Sequence, residues 1–211
     1  MSKQDFIHSL MTAAPVISVV VINDPKTAVS LAKALVAGGL PAIEITLRTP
    51  NALACIKAVA DEVEGAIIGA GTVLNKEHIA AVEKAGAKFM VSPGTSPNLL
   101  AAAEDSPVAL LPGAATGSEM MALGELGYDH VKFFPAGAAG GPNYLKSIGG
   151  PLPDFHICPT GGVSLANAKD YLVLPNVLCV GGSWVAPSNL IEAGDWAGIE
   201  QLAKDAFALT A

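Results

Sequence analysis

Three joints along the chain repeat one pattern: Leu35-Val36-Ala37-Gly38-Gly39, Val82-Glu83-Lys84-Ala85-Gly86 and Leu123-Gly124-Glu125-Leu126-Gly127. Each ends a helical stretch on a glycine, the residue that takes the left-handed helix stop without steric cost, and each leads into a short apolar strand. A chain that returns from helix to strand in this way is restricted to parallel strands joined by crossover helices. Strands are expected at residues 16–22, 42–47, 66–70, 88–92, 108–111, 130–134, 156–159 and 177–180. Between them lie helices, among them one opened by Asp24 as N-cap with Pro25 at its first position. Evenly spaced strand–helix units of this number predict an α/β fold of the (β/α)8 barrel type. An open doubly wound sheet is the competing arrangement. Residues 1–14 mix Lys3, Gln4, Asp5 and His8 with Phe6, Ile7, Leu10 and Met11, which predicts an extra amphipathic N-terminal helix and not a signal peptide. Neither a linker nor a low-complexity segment interrupts the chain, so residues 1–211 are expected to form one domain.

Composition narrows the partners. Apolar residues make up 51% of the chain and charged residues 15%, an excess of buriable surface that points to a homo-oligomer. A net charge of −7 argues against nucleic acid or an anionic membrane as partner. No apolar run reaches membrane-spanning length. Cys55, Cys158 and Cys179 are widely spaced without a CxxC, as expected of buried cytosolic thiols.

The polar residues at the strand ends carry the chemistry, because a barrel of this type places its active site there. Lys132 sits in the middle of Val131-Lys132-Phe133-Phe134, sharing one strand face with Phe134 while Val131 and Phe133 share the other. Desolvation among such neighbours disfavours the ammonium, and a neutral amine is what Schiff-base formation on a carbonyl needs. The plainer alternative is a lysine at a strand end that snorkels to water. In the second strand Glu44, Thr46 and Arg48 share a face, and burying them is costly unless they pair or bind something. An internal Glu44–Arg48 pair is the alternative, although four strand steps separate them by about 13 Å of backbone. Cys158-Pro159-Thr160-Gly161-Gly162 and Gly181-Gly182-Ser183 end neighbouring strands with glycine pairs, where bare backbone N–H groups can hold a phosphate. His8, His78, His130 and His156 fall on different elements without paired ligand spacing, so no metal site is expected. Gly69-Ala70-Gly71 does not continue as a dinucleotide fingerprint, and no Gly-x-Ser-x-Gly or reactive-cysteine signature occurs.

Taken together these segments resemble the bacterial 2-keto-3-deoxy-6-phosphogluconate (KDPG) aldolases and their 4-hydroxy-2-oxoglutarate-cleaving relatives. The resemblance rests on six motifs spread over nearly the whole chain: residues 44–49 (EITLRT), 69–74 (GAGTVL), 92–94 (SPG), 131–136 (VKFFPA), 158–162 (CPTGG) and 181–184 (GGSW). It implies a cytoplasmic, homotrimeric, metal- and cofactor-independent class I aldolase of the Entner–Doudoroff pathway. Such an enzyme splits a 2-keto acid phosphate into pyruvate and glyceraldehyde 3-phosphate. By the same resemblance Lys132 is the Schiff-base lysine and Glu44 the general acid/base. Arg48, Thr72, Pro93, Phe134 and Thr160 bind the substrate, and Gly161, Gly162, Gly182 and Ser183 hold its phosphate. Two positions depart from the family pattern: Gly137, where many relatives carry glutamate, and Ser18, where many carry proline; neither is expected to touch the chemistry.

Two other functions fit the same strand ends in part. A phosphosugar isomerase or epimerase would keep the phosphate site but has no need of Lys132. A non-catalytic phosphometabolite binder would need the glycine pairs but not a buried Glu44 beside Lys132. Fold alone does not separate them.

Overall fold

The computed structural model describes residues 1–210. Nine strands are present among them: β1 (Val16–Val20), β2 (Ala42–Thr46), β3 (Ile67–Gly71), β4 (Phe89–Val91), β5 (Ala109–Leu111), β6 (Gly113–Ala114), β7 (His130–Phe133), β8 (His156–Pro159) and β9 (Val180–Gly182). The helices are α1 (Lys3–Thr12), α2 (Pro25–Ala37), α3 (Ala52–Glu62), α4 (Lys76–Lys84), α5 (Pro97–Asp105), α6 (Gly117–Gly124), α7 (Gly141–Ile148), α8 (Ala168–Leu172), α9 (Ser188–Ala193) and α10 (Trp196–Phe207).

The caps explain why the helices begin where they do. Asp24 accepts the Thr27 N–H at 2.7 Å with Pro25 in the first turn, and Asn75, Ser96 and Thr116 cap α4, α5 and α6 in the same manner. The glycine stops act as expected: Gly39, Gly86 and Gly127 all have positive φ, at 93°, 86° and 82°.

All strand pairings are parallel. β5-β4-β3-β2-β1-β9 form one sheet and β6-β7-β8 another. The expected strand at 108–111 is β5, and past Pro112, which cannot donate to the ladder, a further short piece, β6, follows. The Pro112 carbonyl instead accepts the Lys132 N–H at 2.8 Å, so the break hands the chain from the first sheet to the second. On the other side, single parallel bridges join Ile157 to Val177 and Thr160 to Gly181. The expected last strand at 177–180 accordingly lies later, with only an isolated bridge at Val177. Helix α9 has no counterpart in the sequence reading.

Two cores result. The larger lies between strands and helices and includes Leu35, Ile43, Ile56, Val131 and Phe133. The smaller joins Ile7, Leu10 and Met11 of α1 to Ile17, Ala42, Phe89, Ala109 and other strand residues. Ile17, Ala42, Phe89 and Ala109 lie at or near the amino ends of their strands, so α1 closes that end. Burial of each large α1 side chain contributes about 1.5–3 kcal/mol, and the Lys3 ammonium fixes the helix further by donating to the carbonyls of Ala103 and Glu104.

Candidate active site

Strand alternation delivers Lys132 and Glu44 to the same interior. Val131 and Phe133 pack in the outer core, which turns Lys132 inward. On β2, Ile43 and Ile45 do the same for Glu44. The Lys132 Nζ lies 3.3 Å from Glu44 Oε1, with the two side chains only 5% and 4% exposed. The Phe134 ring faces the same amine, with its centroid 5.3 Å away. A buried amine in hydrogen-bond contact with a carboxylate is a pair between which a proton can pass. The Lys132 side chain does not snorkel to water, and Glu44 pairs with Lys132, not with Arg48.

Space for Glu44 is made by a glycine. A Cβ built on Gly71, the last residue of β3, would overlap the Glu44 carboxylate. Immediately after it, Thr72 holds a φ of 60°, the one non-glycine residue with positive φ among those described. A β-branched residue there is strained, and such outliers cluster at functional sites. Its hydroxyl accepts the Arg48 Nε–H at 3.1 Å. Arg48 is exposed at the rim and Thr72 half-buried, so this pair stands at the mouth above the buried Lys132–Glu44 pair. Thr46, expected on the face of Glu44, is fully buried and donates to the Val20 carbonyl at 3.2 Å, a structural role.

The remaining expected residues fall around this centre. Pro93 lies against Gly113, whose missing Cβ leaves room for the Pro93 carbonyl and the Gly94 N–H. Thr160 is 6% exposed and fills the space above Gly181. The Thr160–Gly181 bridge brings the two glycine pairs side by side. Gly161 and Gly162 have φ of 92° and 78°, and their loop is fixed by Asn167, which donates to the Gly162 carbonyl and accepts the Ser164 N–H. The Phe134 ring packs on Gly161, while Gly182 makes room for the Trp184 ring. Ser183 is exposed beside them.

The loop after β7 is tied to this region, the Gly137 N–H donating to the Gly161 carbonyl at 2.9 Å. One sequence expectation needs correction. The histidines are not all scattered. His8, His130 and His156 converge, leaving only His78 apart, where its Nδ1 accepts the Leu74 N–H. The overlooked signal was positional: His130 and His156 open adjacent strands and are register partners. Gly71, Gly113 and Gly181 were also passed over as clearance residues, since the need for them is visible only once their neighbours are placed.

A parallel α/β fold with a buried lysine–carboxylate pair at its strand ends defines a carbonyl-chemistry enzyme of the Schiff-base class. The model of the KDPG and KHG aldolase family matches residues 7–202. The chain is 54% identical over 207 residues to the 2-dehydro-3-deoxy-phosphogluconate aldolase of Pseudoalteromonas atlantica, covering 98% of this chain and 94% of that one. It is 49% identical to the KHG/KDPG aldolase of Escherichia coli, covering 94% and 93%. Among solved structures, the KDPG aldolase of Legionella pneumophila, with pyruvate captured as a covalent carbinolamine intermediate, superposes with a TM-score of 0.93 at 42% identity, covering 98% of each chain. The chain belongs to the KDPG and KHG aldolase family.

Proposed function

We propose that this protein is a class I aldolase that cleaves 2-dehydro-3-deoxy-6-phosphogluconate to pyruvate and glyceraldehyde 3-phosphate, and 4-hydroxy-2-oxoglutarate to pyruvate and glyoxylate. The observation that carries the reading is the buried Lys132 amine 3.3 Å from the Glu44 carboxylate. It stands in a chain that is 42% identical to an aldolase captured with pyruvate bound covalently.

The chemistry follows from that pair. Glu44 takes a proton from the Lys132 ammonium, and the neutral amine adds to the substrate ketone. Glu44 returns its proton to the carbinolamine hydroxyl, which leaves as water, giving a protonated imine that is the electron sink for cleavage of the C3–C4 bond and restoring the Glu44 carboxylate. The sink is internal, so the step needs no Lewis acid. Glu44, directly or through a water, accepts the C4 hydroxyl proton and later returns a proton to the enamine carbon. Hydrolysis of the pyruvate imine frees Lys132.

Arg48 and Thr72 bind the carboxylate end, where the guanidinium supplies a bidentate partner. Pro93, Phe134 and Thr160 wall the pocket. The backbone N–H groups of Gly161, Gly162, Gly182 and Ser183, with the Ser183 hydroxyl, hold the phosphate. The two sheets close into one (β/α)8 barrel domain over residues 1–211, with α1 as an added helix; the bridges at Ile157 and Thr160 and the hand-over at Pro112 support that closure. The apolar share of 51%, high for a single core, supports assembly into a trimer. The protein acts in the cytoplasm; no helix among the described residues is long and apolar enough to cross a membrane.

Pyruvate release from synthetic 2-dehydro-3-deoxy-6-phosphogluconate, followed through lactate dehydrogenase and NADH, tests the reading. Wild-type protein turns the substrate over and Lys132→Met does not. Absence of turnover by the wild type, or activity of Lys132→Met near that of the wild type, overturns it.

A further inference from the structure

At the amino ends of the strands, three imidazoles from three elements meet. His8 belongs to α1, His130 opens β7 and His156 opens β8. One ring nitrogen of each lies within 4.8 Å of the other two. His8 Nδ1 and His130 Nε2 are 3.0 Å apart. The other nitrogen of His130, Nδ1, stands 2.6 Å from the Asp129 carboxylate. That contact fixes the tautomer: the proton sits on His130 Nδ1, and the Nε2 lone pair points to His8. His156 Nδ1 is buried without a hydrogen-bond partner, a costly state for a polar atom. Neither the lysine chemistry nor the packing of α1 gives these groups a task.

We propose that His8, His130 and His156 form a binding site for a divalent transition-metal cation of the Zn²⁺ class, independent of the aldolase reaction, that staples α1 to β7 and β8. Three neutral imidazoles are a donor set that suits Zn²⁺, with water completing a tetrahedron. Asp129 behind His130 reproduces the carboxylate–histidine–metal arrangement that orients a ligating ring and raises its basicity. In the free protein His8 Nδ1–H donates to His130 Nε2. Binding requires that this proton shift to His8 Nε2 on the exposed side, which frees both facing lone pairs for the ion. Zn–N bonds of about 2.0–2.1 Å place ligand nitrogens roughly 3.3 Å apart in a tetrahedron. The widest separation must therefore close by about 1.5 Å, which side-chain rotation provides. His8 is exposed, so the ion enters from solvent without opening the core.

The test uses the full-length protein without an affinity tag, stripped with EDTA and dialysed, then titrated calorimetrically with Zn²⁺. One ion binds per chain with micromolar or tighter affinity. Asp129→Asn weakens binding about 10- to 100-fold, as loss of a supporting carboxylate does. His8→Ala abolishes saturable binding and His78→Ala leaves it unchanged. Zn²⁺ at about a hundred times its dissociation constant raises Tm by roughly 5–10 °C in the wild type and not in His8→Ala. Because His8 is exposed, that variant folds even where His130→Ala or His156→Ala does not. No stoichiometric binding by the wild type, or binding that survives His8→Ala, overturns the proposal.

Discussion

The two ends of the strands are built from the same backbone and solve opposite problems. At the carboxyl ends, ionisable groups are buried together: Glu44 and Lys132 are 3% and 4% exposed and touch each other. At the amino ends, Ile7, Leu10 and Met11 of α1 join Ile17 and Phe89 in an apolar cluster, with the His8, His130 and His156 imidazoles at the same end. The contrast is compressed into three residues of β3. Gly69 lacks a side chain so that the Phe89 ring can fill the floor, and Gly71 lacks one so that the Glu44 carboxylate can stand beside Lys132. One glycine serves cohesion and the other serves chemistry, about 7 Å apart along the strand. A core that was apolar throughout would be at least as stable, since buried ion pairs rarely outperform well-packed apolar groups. Under the proposed function, the Lys132–Glu44 pair is explained by what it does to a substrate.

If the ends divide their work in this way, substitutions at one end should change turnover and those at the other should change stability. The largest effect belongs to Glu44→Gln, which keeps the shape of the side chain but removes the acid/base group. It lowers kcat on the order of 10²–10⁴-fold, while imine trapping at Lys132 declines less than turnover does. Near-normal turnover in steady-state assays would assign the proton transfers to another group. Gly71→Ala comes next. Its added methyl displaces the Glu44 carboxylate, and a shift of about 1 Å in a catalytic group costs roughly 10²-fold in rate. A normal kcat in this variant would mean that the position of Glu44 against Gly71 does not matter for the chemistry.

Ser183→Ala should reduce kcat/KM about tenfold to a hundredfold for the phosphorylated substrate, the value of one hydrogen bond of roughly 1.5–3 kcal/mol to a charged group. Cleavage of 4-hydroxy-2-oxoglutarate, which has no phosphate, provides the control and should suffer much less. Equal loss on both substrates would make Ser183 a support for the fold. Gly69→Ala has the smallest expected effect on catalysis. It overpacks the floor against Phe89 and costs about 1–3 kcal/mol in denaturant unfolding, with kcat nearly unchanged. A large fall in kcat there would erase the division between the ends.

Much of this was legible in the chain. The glycine stops and the caps at Asp24 and Pro25 fixed the alternation of elements, since local backbone chemistry decides them whatever the tertiary context. The lysine between Val131 and Phe133 was legible too, because alternation on a strand assigns its face. Contacts between distant elements were harder. Glu44 could be placed on an inner face and its pairing with Arg48 disfavoured by the strand spacing, but its contact with Lys132 depends on strand order, which local pattern does not give. The break at Pro112 was visible as a proline without a visible consequence. The histidine cluster went unseen because ligand spacing was sought along the chain, whereas parallel register brings His130 and His156 together across it and α1 delivers His8 from far upstream. Thr72 stands in one of the motifs, but its strain gave no sequence signal: its positive φ is imposed by the turn after β3, against the preference of the residue.

The central claim is that the buried amine of Lys132 is the nucleophile. Incubation with pyruvate and sodium borohydride reduces any imine to a stable secondary amine, and proteolysis with mass spectrometry locates it. Activity is expected to be lost, the adduct to lie on the peptide carrying Lys132, and prior EDTA treatment to prevent neither outcome. An adduct on a different lysine, or no adduct in an enzyme that still turns over its substrate, would contradict that claim.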